Sequence, residues 1–134
     1  MLKYILLAFL IGLIITFLDS MYGKQKFLGK DFRDIGYHIR IYPFMVSLPY
    51  IPLLILYPEK WNIWLGMLLL SWALNDIMWF LVDPKEWKEL WGFKNRLIYV
   101  WKLWNGKYIK VTDTLMTLAT ILRVLLAILF FYLV

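Results

Sequence analysis

Four stretches of this chain are almost free of charge, and each is close to the length that crosses a membrane: residues 1–18, 41–58, 61–82 and 114–134. A helix needs roughly 20 mostly apolar residues to span about 30 Å of hydrocarbon. The first stretch is interrupted only by Lys3, near its end, where a lysine can snorkel to the headgroups. The second has no charge but holds Pro43, Pro49 and Pro52. The third and fourth carry one charge each, Asp76 and Arg123. The start resembles a secretory signal, but the exit at Asp19-Ser20-Met21 lacks an A-x-A-like cleavage site, so it reads as a retained anchor.

Composition narrows the class further. The chain is 63% hydrophobic and 18% charged, against about half and a quarter for an ordinary soluble domain. Its wealth of aromatics excludes a disordered chain. With no cysteine it cannot be a disulfide scaffold, hold a Cys-ligated cluster or use a thiol catalyst. One histidine excludes a bis-His haem within one chain. The expectation is an all-α integral membrane protein, one domain over residues 1–134. It is a bundle of four transmembrane helices, with amphipathic interfacial helices in the two long loops, 19–40 and 83–113.

Lysine and arginine collect in cytoplasmic loops. Lys24, Lys26, Lys30, Arg33 and Arg40 lie in the first long loop, and Lys85, Lys88, Lys94, Arg96, Lys102, Lys107 and Lys110 in the second. Only Lys3 and Lys60 fall on the other side, a ratio of 12 to 2. Four crossings then put both termini outside and both long loops in the cytoplasm. The basic excess needs no nucleic-acid partner, because anionic lipid headgroups attract such residues by about 1 kcal/mol each. The partners expected are anionic lipids on the cytoplasmic side and further copies or subunits in the membrane.

Within the second loop, Asp83-Pro84-Lys85-Glu86 has the make-up of a helix start, with a capping aspartate, proline in the first turn and a glutamate to close a capping box. A short helix from Pro84 to Trp91, stopping at Gly92, is predicted. Over 95–112, Leu97, Ile98, Trp101 and Trp104 share a helical face, which favours an interfacial helix. The alternative is a hairpin turning at Asn105-Gly106. In the first loop, Asp31, Asp34 and His38 share a stripe on a possible short helix. Two carboxylates and an imidazole suit a divalent metal or acid–base chemistry, and Asp19 or Asp76 would add a fourth ligand. No other cofactor is implied.

Asp76 is the most informative residue. It lies about 9 Å inside the inner boundary, at 1.5 Å per residue before Val82. A charge at such depth is costly and is usually paired or functional. Ser71 and Asn75 make its helix polar on one side, and Thr117 and Thr120 lead to Arg123 on the last span, about 13 Å deep. An Asp76–Arg123 ion pair is expected. Pro49 and Pro52 should kink the second span and free the carbonyls of Met45 and Leu48.

No Gly-rich phosphate loop, H-E-x-x-H or G-x-S-x-G is present. Three readings stay open. The favoured one is a non-catalytic subunit, scaffold or assembly component held by the Asp76–Arg123 pair. A second is an inner-leaflet enzyme acting on a lipid or isoprenoid headgroup, with Asp31, Asp34, His38 and Asp76 as its catalytic candidates. A third is a small oligomeric ion- or proton-coupled transporter.

Overall fold

The computed structural model describes residues 1–24, 42–102 and 107–133. Helices dominate them: α1 (Leu2–Lys24), α2 (Tyr42–Ser47), α3 (Ile51–Leu56), α4 (Trp61–Met78), α5 (Pro84–Leu90) and α6 (Asp113–Tyr132). Short 3-10 turns, Pro58–Lys60 and Trp79–Leu81, extend α4 at both ends. Three helical stretches are long and apolar enough to cross a membrane: Leu2–Asp19, Pro58–Leu81 and Asp113–Tyr132.

These three form a layer with α4 in the middle, because α4 carries packing surfaces on two opposite sides. Tyr4 meets Trp64 edge to face at 5.9 Å, and the Ser71 hydroxyl donates to the Ala8 carbonyl at 2.9 Å. Gly12 lies against Ser71 and Leu74. Numbers rise together along both helices, so α1 and α4 are parallel. Gly66 meets Phe131 and the Ala127 carbonyl, and Trp61 meets Phe130, so α6 runs antiparallel to α4.

Small residues set both approaches. A Cβ on Gly12 would stand 3.0 Å from the Leu74 Cβ, and one on Gly66 would stand 3.2 Å from the Ala127 carbonyl oxygen. Lipid tails are as apolar as leucine, so membrane helices gain by close backbone approach and interhelical hydrogen bonds rather than by hiding apolar surface. The distribution of polarity follows. Thr16, Ser71, Asn75, Asp113 and Thr120 are buried, while Leu6, Phe9, Leu10 and Phe17 on α1 and Leu118, Leu122, Leu125 and Leu129 on α6 are exposed.

Two expectations need correction. The stretch expected at 41–58 is not one kinked helix: its described residues form α2 and α3, joined through Leu48–Tyr50. Pro49 has no N–H to continue α2, and Pro52 sits in the first turn of α3, where a missing N–H costs little. The prolines therefore separate two helices rather than bend one. Val46 packs on Ile15, Tyr50 reaches Met67 and Ser71, and the Trp64 indole donates to the Tyr57 carbonyl at 3.0 Å. This segment thus runs antiparallel to α4.

The second correction concerns residues 95–112 and the all-α class. Leu97–Lys102 (β1) and Tyr108–Thr112 (β2) form an antiparallel pair, with Tyr99 opposite Val111 and Trp101 opposite Ile109. An isolated two-stranded ribbon is marginal in water. Here its base is tied down: the Asp113 N–H donates to the Arg96 carbonyl at 3.0 Å, and β2 continues directly into α6. That tether outweighs the helical face that the same residues offer. α5 forms at its expected place, with Asp83 accepting from the Lys85 N–H at 3.2 Å. Gly92 follows it at φ +133°, a backbone conformation that favours glycine.

Candidate functional site

Polar chemistry gathers at three places along α4 and α6. The first is a seam between α1, α4 and the turn before α3. Ser71 is fully buried; its hydroxyl donates to Ala8, and the Tyr50 hydroxyl hydrogen-bonds both Ser71 and the Met67 carbonyl. Thr16 donates back to the Gly12 carbonyl on its own helix at 2.8 Å. Asn75 is buried one turn beyond Ser71. Each hydroxyl here is spent on holding backbone together.

The second place is the α4–α6 seam. The Arg123 guanidinium contacts the Asp76 carboxylate through one oxygen, Oδ2, and the Thr120 hydroxyl donates to the same oxygen at 3.4 Å. The face of Trp72 lies 4.5 Å from the guanidinium carbon, a cation–π contact that is strong away from water. Side-chain exposure is 13% for Asp76 and 19% for Arg123. Trp72 also packs against the Ile15–Val46 cluster, so the ion pair touches the broken second segment through one indole.

The third place centres on Asp113, which residue order alone does not single out. Asp113 is fully buried, and its carboxylate is encircled by donors. The Arg96 N–H donates to Oδ1 at 2.9 Å, the Thr114 N–H to Oδ1 at 2.8 Å, and the Arg96 Nε to Oδ2 at 3.1 Å. Arg96 also donates to the carbonyls of Glu89 and Trp91, closing the end of α5 onto the hairpin. Thr117, expected only as part of an intramembrane stripe, exchanges hydrogen bonds with both backbone groups of Gly92, accepting at 3.0 Å and donating at 3.3 Å. Thr114 accepts from the Asn95 N–H at 3.2 Å. An aspartate opening a helix beside a threonine cap is the local signal, but it also describes an ordinary solvated helix start.

Asp31, Asp34 and His38 lie outside the described residues. Among the described residues no three carboxylate or histidine side chains gather as a metal site. Asp19 is buried near the end of α1. A groove of about 310 Å³ between α4 and α6 is walled by Ile77, Ile121, Val124 and Leu125, with Trp91, Thr117 and Thr120 also in its lining. It presents hydrocarbon to a visitor. The indole N–H groups of Trp87 and Trp91 are buried without a hydrogen-bond partner among the described residues, and their rings meet edge to face at 6.2 Å. Comparison with known families, curated proteins and solved structures finds no match to the chain.

Proposed function

We propose that this chain is a non-catalytic component of a membrane, a small subunit or scaffold whose Asp76–Arg123 pair locks the register of two spans. The single observation that carries this is how the carboxylate is used. Asp76 contacts Arg123 and Thr120, both on α6, and Arg123 is stacked on Trp72 of α4. Helix-to-helix fixing accounts for each of these contacts without a substrate.

The proposed topology has four crossings with both termini outside. Two consecutive spans that run parallel, α1 and α4, need a chain that returns across the membrane between them. The segment holding α2 and α3 runs the right way, from the Trp72 level at Val46 to the Trp64 level at Tyr57. Its length, with its turns, supplies the fourth crossing. The 12-to-2 distribution of Lys and Arg sets the sidedness. Further subunits, identical or not, are proposed to pack on the layer, and the lipid partners are the anionic ones of the cytoplasmic leaflet.

The test uses single cysteines at Met1, Lys26, Lys60, Asn105 and Val134, in a chain that has no cysteine of its own. A membrane-impermeant reagent added outside should label the first, third and fifth. Labelling at Lys26 would reverse the topology. Native mass spectrometry on the same protein should find it associated with copies or partners. A divalent metal held stoichiometrically and lost in Asp76→Asn would replace the scaffold with an enzyme.

A further inference from the structure

α5 and the hairpin expose a cluster of cationic side chains. Lys85, Lys88, Lys94, Arg96, Lys107 and Lys110 are all exposed. Among the described acidic side chains here, Asp113 is buried and engaged by Arg96, which leaves Asp83 and Glu89 against these lysines. Large apolar groups stand exposed between the cations: Phe93, Leu97 and Ile109, with exposures of 65%, 56% and 38%.

The module cannot drift from the helices. β2 enters α6 without a linker, Asp83 alone separates Val82 from α5, and the Asp113 clasp ties both pieces together. It is therefore held at the end of the spans, at headgroup level if the spans cross a membrane. The register makes β2 two-faced. Val111 is buried, Ile109 lies on the same face and is partly exposed, and Lys110 lies on the opposite face.

We propose that this module is a docking surface for anionic phospholipid of the leaflet in which it sits. Phe93 and Ile109 enter the hydrocarbon edge, and Lys94 and Lys110 hold lipid phosphates. The occupant follows from charge complementarity joined to apolar exposure: a lipid surface offers phosphate and hydrocarbon within one layer, as interfacial anchors require. The inference rests on the membrane reading above and gives its lipid partner a place on the chain.

The chain's lack of cysteine makes the test clean. Ile109→Cys, carrying an environment-sensitive dye, is placed in the full chain in mixed detergent–lipid micelles. Added phosphatidylglycerol should shift the dye to an apolar signal, equal phosphatidylcholine should not, and about 0.5 M salt should reverse the shift. Replacing Lys94 and Lys110 by Gln should raise the phosphatidylglycerol needed for half the shift by about fivefold per lysine. Both positions are exposed, and an unchanged melting temperature shows that the variants still fold. An equal response to both lipids overturns the proposal. So does a dye that answers to short RNA or an acidic peptide and not to phosphatidylglycerol. If the cysteine labelling still gives four crossings while phosphatidylglycerol has no effect, this surface falls and the membrane component stands. If the labelling fails, both fall.

Discussion

Two Asp–Arg pairs lie on α6, and they are built on different physics. Asp113 at its start is fully buried, yet two backbone N–H groups share its carboxylate with Arg96, whose own side chain is 42% exposed. Asp76, facing the middle of α6, has no backbone donor among the described residues; its contacts there are the Arg123 guanidinium and the Thr120 hydroxyl. The first carboxylate is solvated by the chain itself and would keep part of its stabilisation without arginine's charge. The second depends on its partner, because a lone charge in hydrocarbon has nothing else to turn to. Two residues of the same types thus give a clasp in one place and a mutual dependence in the other.

The deepest contrast should come from the embedded pair. Asp76→Asn and Arg123→Gln should each lower stability by up to about 3–5 kcal/mol, the cost of orphaning a fully buried charge. Thermal unfolding in detergent reads this, and the double variant should lose less than the sum. Strict additivity would show two independent polar residues and erase the distinction.

At the clasp the two partners should differ. Asp113→Ala leaves the Arg96 and Thr114 amides without their acceptor and should cost about 1–3 kcal/mol, the range for a lost hydrogen bond to a charged group. Arg96→Gln removes a half-exposed charge and should cost no more than about 1 kcal/mol. Hydrogen exchange at the Arg96 and Thr114 amides should quicken strongly in the first variant and little in the second. Equal effects would mean that charge, not the backbone amides, holds the hairpin to α6.

The smallest effect belongs to a carboxylate outside both pairs. Asp83→Ala removes the acceptor of the Lys85 N–H at the start of α5 and should cost about 1 kcal/mol. The loss should be confined to exchange within α5. A loss that spread to Asp113 would join α5 and the clasp into one unit.

Some of this was legible in residue order. The apolar stretches stand out because lipid imposes no alternation: a span is apolar all round, and length alone betrays it. The depths of Asp76 and Arg123 follow from counting residues along a helix of fixed rise. The small residues of α1, Ala8, Gly12 and Thr16, recur every four positions, and that pattern could have marked its packing face, since Gly12 and Ala8 meet Ser71 there. The break at Pro49 was visible as a disturbance, but whether a proline bends a helix or divides it depends on what the freed ends can pack against.

What residue order by itself determined is therefore what one helix or one loop can express: three long apolar helices, the start and stop of α5, and the uneven distribution of basic residues. Only the tertiary structure decided that α1 and α4 run parallel, that Asp113 is buried, and that Leu97–Lys102 and Tyr108–Thr112 pair as strands. Each of those depends on partners distant in the chain. The hairpin illustrates the reason. Its residues suit a helix face and a ribbon alike, and the choice is made across its base, 17 positions apart, where the Asp113 N–H donates to the Arg96 carbonyl and the Arg96 N–H donates to the Asp113 carboxylate.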